Sequence, residues 1–313
     1  MYLLWLIPLC IIALILISSF VCFMLTFYSP TRKPLGEDEY EIPEGEIYEK
    51  YRDYMETWIK NSRTMPHEDM CITSFDGLKL RGKYYEYSKD AVVEILFHGY
   101  RGYGERDLAG AIDRCFKLGR SALIVDQRAS GQSDGHIITF GIKERYDCLS
   151  WVEHCIKRFG DDVKIKITGV SMGASTVVMA SGLELPKNVI GVLCDCGYTS
   201  PKAIIKKVLK DINLPVFIFY PLIRLGAMIY GGFDIESASP IEAIKKCRLP
   251  MLIFHGDEDA FVPHYMGQQL FDACGSDKKY FHTVKGAGHG LAFPVDKEGY
   301  LNTVRKTSAE WGI

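Results

Sequence analysis

Hydrophobic and polar positions fall into blocks of different period along this chain, and each block predicts an element. Residues 3–27 are almost entirely apolar and carry no charge. As a helix this stretch would reach roughly 37 Å, enough to cross a bilayer with some tilt. Tyr2 and Trp5 at one end and Tyr28 at the other suit interfacial aromatic belts. Residues 31–45 are polar and contain proline and glycine, which reads as a linker. Ile47, Tyr48, Tyr51, Tyr54, Met55, Trp58 and Ile59 then recur at helical spacing. They predict one amphipathic helix over residues 46–62, packed on the domain that follows.

Residues 70–75 and 78–87 flank Asp76-Gly77, the signal of a hairpin. From Val92 onward short apolar runs alternate with helical patterns. The runs at residues 92–97, 163–168, 189–195, 250–255 and 279–284 predict an α/β protein with a mostly parallel sheet covered on both faces. Residues 200–246 are too many for a simple crossover and predict a cap. Its apolar run at 214–223 reads as glue between cap and sheet edge, as an acyl pocket or lid, or as a surface in contact with the bilayer.

Composition narrows the class. The chain has 313 residues, 48% of them hydrophobic, enough for one large α/β domain plus an appendage. The net charge of −2 offers no basic surface for nucleic acid. The glycine-rich run at residues 99–104 lacks the lysine and Ser/Thr of a phosphate loop. Of ten cysteines, Cys10 and Cys22 lie in the apolar segment. Cys71, Cys115, Cys148, Cys155, Cys194, Cys196, Cys247 and Cys274 form no C-x-x-C pair. Cys194 and Cys196 fall on one face of a strand, about 6.6 Å apart by strand rise, which disfavours a bridge. The thiols therefore read as unpaired, in a reducing compartment or in an anaerobe.

The candidate chemistry sits at strand ends. Gly169-Val170-Ser171-Met172-Gly173 follows one apolar run and precedes the helical stretch from Ala174. A serine there sits on a strand-to-helix turn that pushes Oγ above the sheet. Asp257 and Asp259 follow a later strand, and His289 follows the last one within Gly286-Ala287-Gly288-His289. Serine, acid and histidine thus occur in the chain order of the α/β-hydrolase triad. The chemistry requires all three: a hydroxyl needs a base, and the imidazole needs a carboxylate to fix its tautomer. Upstream, His98-Gly99-Tyr100-Arg101-Gly102 follows the first parallel strand. Backbone N–H groups of Tyr100 and Met172 are the expected oxyanion donors. Asp126 and Arg128, at another strand end, read as ties between loops. His98 and His255 read as strand-end turn residues, His282 as a strand residue, and His67, His136, His154 and His264 as surface residues.

These segments, with residues 126–133 and 255–263, resemble the α/β-hydrolase superfamily from about Cys71 onward. The likeness is greatest to its serine-aminopeptidase-like and monoacylglycerol-lipase-like bacterial branch, also described as BEM46-like. Ala129-Ser130 departs from the Gly-His or Ala-His of many relatives, in a loop that is structural there. The resemblance implies a mostly parallel eight-stranded sheet with helices on both faces and a small helical cap. The Gly-x-x-Asp pattern beginning at Gly256 selects Asp259 over Asp257 as the acid. It also implies a serine hydrolase acting on carboxylic esters or thioesters through an acyl-enzyme, with no cofactor and no metal. A serine peptidase, or an idle hydrolase fold used as a binding module, is the alternative.

The expected organisation is a transmembrane anchor at 1–30, a linker and amphipathic helix at 31–65, and a hydrolase domain at 66–313 with its cap at about 200–246. A cleaved signal peptide is disfavoured, because no positive region precedes the apolar core and no small-x-small site follows it. A buried core helix is disfavoured because the hydrolase pieces all lie downstream. Arg32 and Lys33 directly after the span predict a single-pass protein with its catalytic domain in the cytoplasm. The substrate would be a small molecule or an acyl lipid. Nothing in the sequence fixes an oligomeric state.

Overall fold

The computed structural model describes residues 2–30, 35–36 and 38–313, with side chains described from residue 7 onward. Arg32 and Lys33, the basis of the predicted orientation, and the side chains of Tyr2 and Trp5 lie outside the described residues. In chain order the elements are α1 (Tyr2–Phe27), α2 (Glu46–Glu49), α3 (Arg52–Thr64), β1 (Glu68–Thr73), β2 (Lys79–Tyr85), β3 (Val93–Phe97), α4 (Gly104–Lys117), β4 (Ser121–Val125), α5 (Glu144–Phe159) and β5 (Ile165–Val170). They continue with α6 (Met172–Ala180), β6 (Val189–Asp195), α7 (Pro201–Asp211), α8 (Val216–Tyr230), α9 (Pro240–Ile244), β7 (Met251–Gly256), α10 (His264–Ala273), β8 (Lys279–Val284), α11 (Ala292–Val295) and α12 (Lys297–Trp311).

The eight strands form one sheet in the order β1-β2-β4-β3-β5-β6-β7-β8. β2 pairs antiparallel with β1 and β4, and every other neighbouring pair is parallel. The inner parallel strands are buried on both faces, so they read as continuous apolar runs, while the edge strand β8 is only half-buried. Ile95 and Phe97 of β3 join a core with Trp151 of α5, Val177 of α6 and Leu270 of α10. Leu96 points the other way, against Leu108 and Ile112 of α4. Farther along that face Phe254 stacks on Tyr300 of α12 with ring centroids 3.7 Å apart.

Two charged residues interrupt the apolar runs, and both sit in one buried cluster. Glu94 of β3 accepts from Arg120 at 2.8 Å and from Thr168 at 2.8 Å, and pairs with Arg114. Burial alone would raise its carboxyl, but the two guanidiniums outweigh burial and hold it at about 2. Lys166 of β5 has no carboxylate left to itself. Burial and the neighbouring Arg120 push its ammonium down to about 7.

The structure corrects two local expectations. The amphipathic helix is split: α2 ends at Glu49 and α3 starts at Arg52, with Tyr51 between them at φ −115° and ψ 6°. The two pieces are held by different partners. Tyr48 of α2 donates to the His289 carbonyl at 3.0 Å, while Met55 and Ile59 of α3 pack on Ala109 of α4. Met55 and Ile59 of the apolar stripe are buried against the domain, whereas Ile47 and Tyr54 stay exposed. Cys196 lies past the end of β6 with φ +49°, so it shares no strand face with Cys194. None of the ten cysteines is paired.

The N-terminal helix is long and apolar enough to cross a membrane over Ile7–Phe27. Its outer half is bare, but its C-terminal half docks on the cap. An added Cβ at Gly226 of α8 would lie 2.4 Å from the Ser19 carbonyl oxygen, so only glycine permits this helix crossing. Tyr230 of α8 donates to the Leu16 carbonyl at 3.0 Å. Phe23 and Phe27 are buried with Phe140, Ile223 and Phe233. Beyond α1, Tyr28 forms an antiparallel bridge with Ile137.

Candidate active site

The turn between β5 and α6 brings the strand end and the helix start closer than side chains allow. A Cβ at Gly169 would lie 2.1 Å from the Gly173 backbone, and one at Gly173 would lie 2.1 Å from the Phe97 carbonyl oxygen. Both glycines of the pentapeptide are thus required by close packing. Ser171 takes the strained position between them, with φ +56° and ψ −118°. Its N–H donates to the Asp195 carbonyl at 2.9 Å, which ties the turn to the end of β6.

The structure brings together Ser171, His289 and Asp259, each from a different loop. Ser171 Oγ lies 2.8 Å from His289 Nε2, and His289 Nδ1 lies 2.7 Å from Asp259 Oδ2. The other Asp259 oxygen accepts the Phe261 and Val262 N–H groups at 3.0 and 2.8 Å. Burial would raise this carboxyl, but the His255 and His289 imidazoles outweigh burial and hold it at about 2. His255 acts through space: its Nε2 is 2.8 Å from the Val262 carbonyl and 3.5 Å from Asp259 Oδ2. The carboxylate is thus fixed, ionised and aimed at one imidazole nitrogen, which leaves the other facing the hydroxyl. Asp257 is not part of this chain. It is exposed and accepts the Gly286 N–H at 2.7 Å, holding the turn before His289.

The loop after β3 approaches the serine from the other side. An added Cβ at Gly99 would lie 3.6 Å from Ser171 Cβ. His98 is fully buried and structural. Its Nε2 accepts the Gln127 N–H at 3.0 Å, and its carbonyl accepts the Gln127 side-chain amide at 2.7 Å. Asp107 of α4 accepts the Gly99 N–H at 3.0 Å, so that N–H is engaged. Met172 is the first residue of α6, so its N–H has no intrahelical acceptor. Asp126 accepts N–H groups of Gly104 and Gln132, both at 2.8 Å. Arg128 pairs with Asp147 and Asp76. Both tie loops together, as the sequence reading expects.

Two cavities meet at Ser171. One of about 210 Å³ is bordered by Asp107, Thr168, Asp195 and His289, and also by Tyr48, Met55 and Trp58 from α2 and α3. Asp195 is fully buried there, and burial pushes its carboxyl up to about 6. The other cavity, about 390 Å³, is almost wholly apolar and lies between α1 and the cap helices α7 and α8. The pocket reading of the run at 214–223 holds for Leu214, Phe219 and Ile223, which line the apolar cavity, but sequence reasoning missed the other walls. Tyr48 and Asp107 carried no motif, and an apolar helix 140 residues or more before the serine gives no local signal.

Among the described residues, Cys196, Asp259 and His289 form a cluster whose donor atoms lie within 4.8 Å of one another. Its fit to a metal is poor. Burial raises the Cys196 thiol well above its ordinary value, away from the thiolate a metal requires, and Asp259 and His289 already bond each other.

Comparison with known proteins agrees with this architecture. Residues 237–296 match the family described as serine aminopeptidase, S33. Protein bem46 of Schizosaccharomyces pombe is 27% identical over 195 residues, 62% of this chain and 59% of that protein. The uncharacterized protein YqkD of Bacillus subtilis is 24% identical over 190 residues, 60% of this chain and 62% of that protein. The chain therefore spans about three fifths of the length of these two relatives. Among solved structures, the esterase Pf2001 of Pyrococcus furiosus superposes with a TM-score of 0.67 at 19% identity, covering 91% of this chain and 98% of that one. Est1E of Butyrivibrio proteoclasticus with bound ferulic acid superposes with a TM-score of 0.59 at 20% identity, covering 77% and 98%. These superpositions show that the chain has the α/β-hydrolase fold.

Proposed function

We propose that this chain is a membrane-anchored serine hydrolase that cleaves carboxylic esters or thioesters. The observation that carries the reading is the continuous contact from Ser171 through His289 to Asp259, at 2.8 and 2.7 Å. In this reading His289 Nε2 takes the proton of Ser171 as Oγ attacks the acyl carbon. The N–H groups of Tyr100 and Met172 stabilise the resulting oxyanion. His289 then returns the proton to the leaving alcohol or thiol. Water, deprotonated by the same imidazole, attacks the acyl-enzyme and releases the acid and free Ser171. No step draws on a cofactor. A serine peptidase is the second reading, favoured by the family match over residues 237–296. The almost wholly apolar cavity at Ser171 fits an acyl chain better than a charged amino terminus.

The helix over Ile7–Phe27 supports single-pass anchoring, and Arg32 and Lys33 after it favour a cytoplasmic catalytic domain. Labelling with a fluorophosphonate probe, combined with hydrolysis of p-nitrophenyl esters, tests the activity. Both should be strong in the full chain and fall by at least 10³-fold in Ser171→Ala, on the order seen when a triad nucleophile is removed. Folded protein that neither labels nor hydrolyses would indicate a binding module. Cleavage of peptide substrates with esters untouched would indicate the peptidase.

A further inference from the structure

We propose that α1 is a wall of the acyl-binding site as well as an anchor. The acyl tail of a membrane lipid then reaches Ser171 sideways from the bilayer, between α1 and the cap. The inference rests on the serine-hydrolase reading of Ser171 and deepens it.

Three independent observations converge. First, the cavity of about 390 Å³ is lined by Ser171, by Val21, Cys22 and Leu25 of α1, and by Ile205 and Leu209 of α7. Its size falls in the range of small-ligand sites, and a nearly unbroken apolar lining suits a hydrocarbon tail. Second, α1 and the cap helices that line it also expose large apolar side chains. Leu25 is 70% exposed and Phe217 of α8 is 80% exposed, with Ile212, Ile218, Met228 and Ile229 also exposed nearby on the cap. Exposed apolar side chains of this kind on a cap packed against a membrane-spanning helix suit a surface that meets lipid. Third, the C-terminal turn of α1 is bonded to the loop that carries the proposed oxyanion donor. Tyr100 donates its phenol to the Thr26 carbonyl at 2.7 Å, and Arg101 donates to the carbonyls of Leu25 and Tyr28 at 2.8 and 3.2 Å. One helix thus touches the bilayer, the tail cavity and the catalytic loop.

The test uses the full chain in phosphatidylcholine vesicles. The readout is the ratio of kcat/KM for p-nitrophenyl dodecanoate to that for the acetate. Each methylene buried in the cavity can raise this ratio by up to roughly fourfold. Cys22→Trp fills the cavity from the α1 side and should lower the ratio at least tenfold. Leu14→Trp, on the exposed outer part of α1, should leave the ratio where it was. A ratio unchanged by Cys22→Trp would overturn the proposal. So would a wild-type profile that is flat across chain length, even with acetate hydrolysed well.

A measurement on the unaltered chain guards against misfolding of the variant. Alkylation of Cys22 by N-ethylmaleimide is followed by peptide mass spectrometry after Ser171 has reacted with a decyl or a methyl fluorophosphonate. The decyl group should slow Cys22 alkylation at least fivefold relative to the methyl group, and equal rates would overturn the proposal. Absence of all ester hydrolysis and of fluorophosphonate labelling would remove the underlying hydrolase reading instead, and this inference with it.

Discussion

The phenol of Tyr100 donates a 2.7 Å hydrogen bond to the carbonyl of Thr26, across 74 positions of sequence. This bond joins the loop above Ser171 to the last turn of the apolar helix. It also satisfies one of the carbonyls that a helix C-terminus leaves unpaired. Tyr100→Phe keeps the ring against Phe140, 5.1 Å away between centroids, and keeps the backbone N–H. The loss should therefore be confined to about 1 kcal/mol of stability for one hydrogen bond. Denaturant unfolding in detergent would measure it. A loss above about 3 kcal/mol would mean that the phenol holds more than this one contact.

Gly226 and Ser19 make the closest helix crossing of the N-terminal segment. Gly226→Ala should destabilise the docked helix by about 1–3 kcal/mol, because its Cβ has backbone rather than a flexible side chain in its way. A thermal scan of the detergent-solubilised protein gives the answer. An unchanged Tm would mean that α1 does not pack on α8 in solution.

The two aspartates after β7 should separate cleanly. Asp259→Asn should reduce kcat by about 10⁴-fold, since the imidazole loses both its tautomer control and its compensating charge. Asp257→Asn removes only an acceptor for the Gly286 N–H and should cost far less. Steady-state kinetics on a short-chain ester distinguishes them. Similar losses, or the reverse order, would assign the acid wrongly.

Lys166 gives a pH signature. Its folded value of about 7 lies below the ordinary 10.5, so its stabilising contribution is complete above about pH 10.5 and is lost as the pH falls through about 7. Three cationic side chains, Arg114, Arg120 and Lys166, crowd around Glu94, so the cluster tolerates a neutral lysine better than a charged one. Lys166→Met should therefore gain about 1 kcal/mol or more over wild type at pH 6, and less at pH 10. Paired unfolding curves at the two pH values decide it. An advantage independent of pH would mean that Lys166 titrates normally.

The anchored topology predicts that the full chain resists alkaline carbonate extraction and needs detergent. A membrane-impermeant thiol reagent applied to intact cells should miss Cys71, which is exposed on the folded domain, until the membrane is opened. Efficient labelling before permeabilisation would put the domain on the outside.

What the sequence determined by itself was whatever depends on neighbours in the chain. The period-two hairpin at Asp76-Gly77, the buried parallel runs, the glycines around Ser171 and the Gly-x-x-Asp after β7 are local constraints. Each writes its requirement into a few consecutive residues. The choice of Asp259 over Asp257 was legible for the same reason, and Asp259 Oδ2 is the oxygen that lies 2.7 Å from His289 Nδ1. The split between α2 and α3 was not legible, because an apolar stripe of helical period records which residues face inward but not that two different partners hold its ends. Likewise the sequence marked residues 3–27 as a span and separated them from the domain. Only the folded chain brings Val21, Cys22 and Leu25 beside Ser171, because that contact depends on where α8 lies and on a glycine at position 226 that lets two backbones meet. Long-range packing of this kind leaves no periodic trace, since any apolar surface satisfies the pattern and only the tertiary arrangement selects the one that is covered.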